Sequence, residues 1–261
     1  YIVKLTCIIL MHLDITLKLY KGGVLSPYLF VLYIDNVIDQ LKLLPFGCFV
    51  RYVNFNILMY ADDIILAAPS VSSLQLLVTE CQKALDGLDL AINVKKCDCI
   101  RIGRRHSVAC LPISLCDGQL IHWNNTITYL GVTIVSATSF NCSFKEAKGK
   151  FYRAFNAIFG KVGRCANEVV TVELLRAKCM PILLYAVEAC PIKSSEINNL
   201  QFALTGAIMK IFNTKSKEIA SDCANIFGIP EVSSSVNRRT SKFIRSFNSM
   251  DTLYHQVLVD R

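Results

Sequence analysis

Two adjacent carboxylates, Asp62 and Asp63, interrupt an otherwise apolar stretch and carry the clearest chemical signal in this sequence of 261 residues. Carboxylates held side by side repel each other, and burial makes each costlier to ionise unless a cation lies between them. Hard oxygen ligands of this kind suit Mg²⁺ or Mn²⁺, which bind through one or two carboxylates together with substrate phosphates. The pair predicts a divalent-metal site for phosphoryl or nucleotidyl transfer. A plain polar turn is the alternative, because Asp is a common turn residue.

The residues on either side of the carboxylates predict the elements that position them. Residues 55–59 and 64–68 are short apolar runs, which predict two buried strands. Tyr60 and Ala61 complete a tight acidic turn between them, so we expect a β-hairpin. A helix is predicted from Ser72 to Leu88, because apolar residues recur there near helical spacing, and this helix should pack on the sheet.

A glycine-rich turn precedes another predicted helix, which contains Val37, Ile38 and Leu41. Lys21 is followed by Gly22 and Gly23, and Ser26 and Pro27 come just before an apolar run. Paired glycines let a backbone approach a ligand closely, and we expect Ser26 to cap the helix and Pro27 to lie in its first turn. Such a helix start attracts anions. An ordinary loop-to-helix junction is the alternative.

Four motifs in this order resemble the palm of the reverse transcriptases of non-LTR (LINE-type) retrotransposons. They are the glycine-rich turn at 21–30, the acidic turn at 60–63, the lysine-bearing segment at 90–97 and the turn at 129–132. Residues 150–158 further resemble the thumb of the same elements, which favours this family over the group II intron enzymes. Each motif alone is a weak signal, whereas four in order are specific.

The resemblance implies a role for each matching residue. Asp62 would be a catalytic metal ligand, with Asp63 supporting it. The residues that would line the pocket for the incoming nucleotide and the template are Gly22, Gly23, Ser26 and Pro27. The residue near the triphosphate would be Lys95 or Lys96, between which the sequence does not decide, and the primer grip would be Tyr129, Leu130 and Gly131. The alternatives are a solvated strand end for the lysines and an ordinary strand aromatic for Tyr129.

Two departures from the family pattern limit what the resemblance implies. The family carries another metal-binding aspartate well upstream of the glycine pair, but the acid that precedes Gly22 here is Asp14. It lies too close to Gly22 and lacks the flanking pattern, so we expect a surface or loop residue. Lys21 replaces the usual glutamine, which puts template positioning in doubt because lysine only donates hydrogen bonds. We therefore expect a fragment or a truncated copy that is inactive, or nearly so, alone.

The resemblance implies an α+β fold, part of a right-hand polymerase in which an antiparallel palm sheet with packed helices is followed by a helical thumb. The predicted division is a palm with an inserted hairpin at 1–140, a thumb-like region at 141–212 and an extension of unknown role at 213–261. Asp117 and Gly118 predict the turn of the inserted hairpin. In the thumb-like region, a helix from Ile197 to Ile211 is predicted, and Pro181 should kink or end another.

The positive charge is concentrated in the second half of the chain. The net charge is +8, and basic residues outnumber acidic ones by one (11 against 10) in 1–140 and by seven (17 against 10) in 141–261. The predicted basic amphipathic helix carries Lys145, Lys148, Lys150, Arg153, Lys161 and Arg164. Such a surface can follow the phosphates of a template–primer duplex, although a solvated helix face is the alternative.

The twelve cysteines indicate free thiols in a reducing compartment more than a metal site or disulfides, because no Cys-x-x-Cys pair occurs. A zinc site within 97–122, where His106 and His122 lie near several cysteines, is the alternative. No apolar run is long enough for a membrane span, and no signal peptide is recognisable. We expect an intracellular protein, in the nucleus or the cytoplasm.

The resulting hypothesis is a partial RNA-directed DNA polymerase that uses Mg²⁺ or Mn²⁺, dNTPs, an RNA template and a DNA primer. One alternative is a non-catalytic nucleic-acid-binding remnant of a decayed element, indicated by the missing aspartate and the basic second half. Another is an unfolded or aggregating product of a decayed gene, because a palm without its upstream strands would expose sheet edge and apolar surface.

Overall fold

The computed structural model describes residues 5–14, 25–163 and 165–250. They divide into two compact units, with the boundary between Phe140 and Asn141. The glycine-rich turn at Lys21, Gly22 and Gly23 lies outside the described residues, as does Arg164.

The first unit combines an antiparallel sheet with two long helices, which agrees with the predicted α+β class. Its strands are β1 (Leu5–Asp14), β2 (Phe49–Val50), β3 (Val53–Asn54), β4 (Ile57–Tyr60), β5 (Asp63–Ala68), β6 (Ala91–Ile92), β7 (Asp98–Gly103), β8 (Ile113–Ser114), β9 (Leu120–Ile121), β10 (Thr126–Tyr129) and β11 (Val132–Val135). Its helices are α1 (Ser26–Lys42) and α2 (Val71–Asp86), and a 3-10 turn spans Val94–Lys96.

Strand β1 is the centre of the main sheet. One edge of β1 pairs with β5, with His12 opposite Asp63. Its other edge pairs with β7 along most of its length and with β6 at its end. Strand β4 pairs with β5 on the far side, which gives the order β4-β5-β1 followed by β6 and β7. The sequence reasoning did not foresee β1, although the uninterrupted apolar run from Cys7 to Met11 is typical of a strand buried on both faces.

Alternate residues of β1 supply two cores, as the pleat of a strand requires. Cys7, Ile9 and Met11 are fully buried in one core together with α1 and α2. Leu10 lies in the other core, which also contains Ile65 and the residues of the β10–β11 hairpin. The sheet is therefore covered by helices on one face and by this hairpin on the other.

The predicted helix after the acidic turn is confirmed as α2. Ser70 caps it, its Oγ accepting a hydrogen bond from the Ser73 amide at 3.1 Å. The apolar positions that predicted the helix are all fully buried: Leu74, Leu77, Val78, Cys81 and Leu85. The helix packs against α1, and Tyr33 joins the two by donating to the Leu88 carbonyl at 3.0 Å.

Helix α1 was predicted with a wrong cap. It begins at Ser26, and the capping position belongs to Leu25, which has no side chain that can accept a hydrogen bond. Pro27 lies in the first turn as predicted, where its missing amide proton costs nothing. One face of α1 is buried, while the large apolar side chains that remain exposed on it are Tyr28, Leu29, Val31, Leu32 and Tyr33.

A hairpin forms at the predicted turn, where β8 pairs with β9, and its status as an insertion in a palm stays a prediction. Gly118 has a φ of +83°, a value that glycine adopts readily. Asp117 supports the turn by accepting from the Gln119 amide at 3.0 Å. Gln75 of α2 anchors the hairpin, since its Oε1 accepts from the Ser114 amide at 2.9 Å.

The second unit is almost wholly helical. Its elements are β12 (Asn141–Ser143), α3 (Lys145–Val162), α4 (Glu168–Leu174), a π-helical turn (Leu175–Cys179), α5 (Met180–Leu183), α6 (Ser194–Ile211), α7 (Lys217–Ile226) and α8 (Val232–Asn248). The predicted helix over 197–211 is confirmed as α6. Pro181 has no amide proton to donate, and the helical pattern is correspondingly disturbed by the π-helical turn just before it.

One core holds the second unit together. Phe151 of α3, Leu204 of α6 and Val236 of α8 all belong to it. The predicted boundary at residue 212 therefore has no counterpart in the packing, because helices on both sides of it share this core. None of the helices in the described ranges is long and apolar enough to cross a membrane.

Candidate functional site

The acidic turn is a two-residue hairpin loop. Tyr60 of β4 pairs with Asp63 of β5, which leaves Ala61 and Asp62 at the tip. Ala61 has a φ of +52°, in the left-handed region that costs a residue with a Cβ about 1–2 kcal/mol. Backbone strain of this kind clusters at functional sites, where the surrounding structure holds it in place. The strained residue here directly precedes the carboxylate at the tip.

The two carboxylates differ in their surroundings. Asp62 is exposed at the tip, whereas Asp63 is half-buried at the start of β5, next to the fully buried Ile64. The partial burial that the sequence predicted for the pair therefore applies to Asp63 and not to Asp62.

A second hairpin turn lies beside the acidic one. It joins β10 to β11, with Tyr129 paired to Val132 around Leu130 and Gly131. Burial raises the pKa of the Tyr129 phenol, and the nearby Asp63 carboxylate raises that pKa further, followed by Tyr60. The predicted primer grip and the predicted metal ligands therefore lie together, although their motifs are far apart in the sequence.

The predicted lysines lie at the same end of the main sheet. Lys95 and Lys96 are exposed in the 3-10 turn that follows β6. Strand β6 pairs with Asp14 and its neighbour at the end of β1, two residues beyond the pairing of His12 with Asp63. The lysines thus lie in a turn rather than at the strand end that was the alternative reading, and the choice between them stays open.

Asp14 differs from what the sequence predicted. Asp14 is the last residue of β1, and its backbone pairs with Ala91. The prediction that Asp14 lies in a loop is therefore wrong. The two residues that separate it from His12, which lies opposite Asp63, correspond to about 7 Å along a strand. The backbone of an acidic residue is thus within reach of the end of the sheet where the acidic turn lies.

The remaining predicted site residues in the described ranges are Ser26 and Pro27, at the start of α1. Helix α1 contacts β4, the strand that leads into the acidic turn. Their predicted partners in the nucleotide pocket, Gly22 and Gly23, lie outside the described residues, so the predicted pocket can be followed only from Leu25 onwards.

The carboxylates Asp62 and Asp63 suit Mg²⁺ or Mn²⁺ in chemical type, because these ions accept one or two carboxylates and fill their remaining positions with water and substrate phosphates. Within the described ranges no group of three or more His, Cys, Asp or Glu side chains is placed to hold a metal ion. No disulfide joins cysteines within the described residues, and burial raises the pKa of Cys81 to about 12. The adjacent carboxylates Asp62 and Asp63 are therefore the described donors whose chemical type fits the predicted metal ion.

Residues 11–134 match the family model for reverse transcriptase (RNA-dependent DNA polymerase). The matched segment contains the acidic turn, the start of α1, both lysines and the turn at 129–132, so each predicted site residue belongs to it. The segment ends within β11, and the second unit lies outside it. No curated protein matches the chain.

Proposed function

We propose that the chain is part of a non-LTR, LINE-type retrotransposon reverse transcriptase that extends a DNA primer on an RNA template. The observation that carries the proposal is the position of Tyr129 beside Asp63, at the end of the sheet where the lysines also lie. Three of the four motifs, namely the acidic turn, the lysine-bearing segment and the turn at 129–132, support the proposal by lying toward the same end of the sheet, and all four belong to a segment that matches the reverse transcriptase family.

In this proposal the primer 3′-hydroxyl attacks the α-phosphorus of a dNTP, and pyrophosphate leaves. Asp62, with Asp63 behind it, holds the metal ions. When bound, Mg²⁺ or Mn²⁺ supplies the charge that stabilises the attacking and leaving oxygens. The turn at 129–132 holds the primer end in line, and Lys95 or Lys96 stabilises the leaving pyrophosphate, since phosphoryl transfer depends mainly on positioning and electrostatics.

The test is primer extension on poly(rA)–oligo(dT) with Mg²⁺. We expect no detectable extension by the 261-residue chain, because its described residues offer two carboxylates near the turn and the family uses three. We expect extension by a longer version that adds an upstream aspartate-bearing strand, and its loss in Asp62→Asn. The matched control is Asp86→Asn, an exposed carboxylate at the end of α2. Full activity of Asp62→Asn in the longer version would show that the metal assignment is wrong.

A non-catalytic nucleic-acid-binding remnant is the second candidate, and the charged face of α3 favours it. Lys145, Arg153 and Lys161 are exposed along this helix, whereas Phe151 and Phe155 are buried on its other side. Lys150 differs because it forms an ion pair with Glu146 at 2.9 Å. This candidate predicts duplex binding without Mg²⁺-dependent synthesis, even in the longer version.

The salt dependence of duplex binding tests the second candidate. Replacing Lys145, Arg153 and Lys161 by glutamine should make the slope of log K against log salt shallower by roughly 1 to 3, since each lost phosphate contact accounts for about 0.9. Lys83→Gln, an exposed position in the first unit, is the control and should leave the slope unchanged. Binding that is insensitive to salt would contradict the assignment of α3 as the contact surface.

A further inference from the structure

Among the described residues, Arg101 of β7 is the one charged residue that is buried, with 5% of its surface exposed. Its Nη1 donates to the Val108 carbonyl at 2.9 Å and to Cys110 Sγ, and its Nη2 donates to the Arg105 carbonyl. None of these acceptors is a carboxylate. Its Nε is buried and has no hydrogen-bond partner among the described residues.

A buried guanidinium without a counter-ion is costly. Arginine stays protonated at any ordinary pH, and removing such a charge from water costs several kcal/mol unless an anion compensates for it. Arg101 lines a cavity of about 320 Å³, and no side chain lining this cavity within the described residues is acidic. An anion that enters the cavity would supply the missing charge.

Rigid backbone segments form the walls of this cavity. On one side the segment His122–Asn124 is held against β7, with the Asn124 amide donating to the Cys99 carbonyl at 2.7 Å. On the other side the turn after β7 is fixed by Arg101 itself and by His106, whose amide donates to the Gly103 carbonyl at 3.0 Å. The cavity is therefore built into the fold around Arg101.

The walls also offer a flat aromatic surface. Trp123 is half-buried, and its Nε1 donates to the Leu111 carbonyl at 2.8 Å, which fixes the plane of the indole. The rings of His106 and His122 and the amide side chains of Asn124 and Asn125 line the same space. Aromatic and histidine rings stack on planar bases, and amides hydrogen-bond to base edges.

We propose that this cavity is a nucleotide-binding site, in which Arg101 binds a phosphate and Trp123 stacks on the base. The volume lies near the lower end of the roughly 300–1,000 Å³ range of small-molecule sites, which suits a single nucleotide. That nucleotide can be a free mononucleotide or the 5′-phosphorylated end of a strand. The proposal does not depend on polymerase activity.

This cavity is separate from the acidic turn. Arg101 pairs with Cys7 on β1, whereas Asp63 pairs with His12. The five residue steps from Cys7 to His12 correspond to about 17 Å along β1. A nucleotide at Arg101 therefore does not occupy the position expected for the incoming dNTP.

The fluorescence of Trp123, which is the single tryptophan of the chain, reports on the cavity directly. The probe is adenosine 5′-monophosphate, titrated into the 261-residue chain in EDTA so that metal-dependent nucleotide binding is absent. We expect saturable quenching, a Kd at least about tenfold higher for Arg101→Gln, and little or no quenching by adenosine, because a hydrogen bond to a charged group would be lost. The matched control, Arg51→Gln, changes an exposed arginine outside the cavity and should leave the Kd unchanged.

The source of the nucleotide and the stability of the variant are tested in two further arms. A short oligonucleotide with a 5′-phosphate should quench more strongly than the same strand with a 5′-hydroxyl if strand ends bind, whereas quenching by the monophosphate alone assigns the site to free nucleotides. If Arg101→Gln does not fold, as judged by circular dichroism, competition by inorganic phosphate in the unchanged chain replaces it. Equal quenching by adenosine, or no quenching by either phosphorylated probe, would overturn the proposal.

Discussion

The acidic turn (residues 60–63) and the turn at residues 129–132 have the same length, and each begins with a tyrosine. The turn at 129–132 is called the glycine turn below and is distinct from the glycine-rich turn at 21–30. In both, the first loop residue has a Cβ and a positive φ, +52° for Ala61 and +47° for Leu130. They differ in the second loop residue. Gly131 adopts a φ of +77° in the glycine turn, and the acidic turn has Asp62 at this position, which is not among the residues with positive φ.

The second loop residue meets a backbone requirement in the glycine turn, whereas in the acidic turn it supplies a carboxylate. The glycine turn has positive φ at both loop positions, as type I′ hairpins require, and glycine meets that requirement at one of them. The acidic turn has positive φ at its first position alone, where type II′ hairpins prefer glycine, yet alanine is present there. Replacing Gly131 in the glycine turn should therefore lower stability, whereas removing the Asp62 carboxylate from the acidic turn should lower activity.

The largest expected effect is on catalysis by the acidic turn. In the longer version described above, Asp62→Asn should lower the rate of primer extension by at least about a hundredfold, because a metal-binding charge is lost. Since Asp62 is exposed, the free energy of unfolding should change by less than about 0.5 kcal/mol. Steady-state extension and urea unfolding measure the two quantities. A large loss of stability would mean that the carboxylate supports the fold instead.

The next largest expected effect is a loss of stability when the glycine turn is changed. Gly131→Ala should lower the free energy of unfolding by about 1–2 kcal/mol, because a Cβ is strained at a φ of +77°. Urea unfolding measures it. Gly149→Ala is the matched control, since a Cβ at this helical glycine would meet no atom within 4 Å and its φ is not positive. A glycine turn that tolerates alanine without loss would remove the distinction between the two turns.

Local sequence patterns were sufficient to predict helix α2 and the hairpin of the acidic turn. Leu74 to Leu85 predicted α2 because helical spacing is a local signal, and the two apolar runs around the acidic turn predicted its hairpin. The cap of α1 was wrong by one position, since helix ends depend on backbone geometry that residue types specify only weakly.

Features that depend on distant parts of the chain could not be predicted. The central place of β1 follows from pairing with strands far along the sequence, and no local pattern specifies such a partner. The burial of Arg101 depends on the turn after β7 and on the segment around Trp123, so no local pattern indicates it. The meeting of Tyr129 with Asp63 was implied by the family resemblance and not by any local pattern.

A smaller effect should follow from relieving the strain at Ala61. Ala61→Gly should raise the free energy of unfolding by up to about 1 kcal/mol, because glycine adopts a φ of +52° without steric cost. The gain is limited because glycine also makes the unfolded chain of the variant more flexible. Urea unfolding again measures it. The control is Ala84→Gly inside α2, which should lower stability by about 0.5–1 kcal/mol. Destabilisation of equal size in both variants would show that Ala61 is not strained.

The smallest effect concerns the contact between the two turns and appears only at high pH. Burial, with Asp63 and Tyr60, raises the pKa of the Tyr129 phenol in the folded state. The folded protein then holds this proton more tightly than the unfolded chain does, so the contribution to stability is complete below the unfolded pKa of about 10 and is lost as the pH rises through the folded pKa.

Tyr129→Phe removes this titration. The difference in unfolding free energy between the unchanged chain and the variant should therefore be constant up to about pH 9 and should then shift in favour of the variant. Tyr28→Phe, at an exposed tyrosine of α1, is the matched control and should show no such shift. Urea unfolding at several pH values measures the shift, which should become smaller without disappearing when Asp63→Asn is added to both proteins, because burial is the first cause of the raised Tyr129 pKa and the Asp63 charge is the second. A profile that is unchanged by Asp63→Asn would mean that burial alone raises the pKa, and that the two turns are not electrostatically coupled.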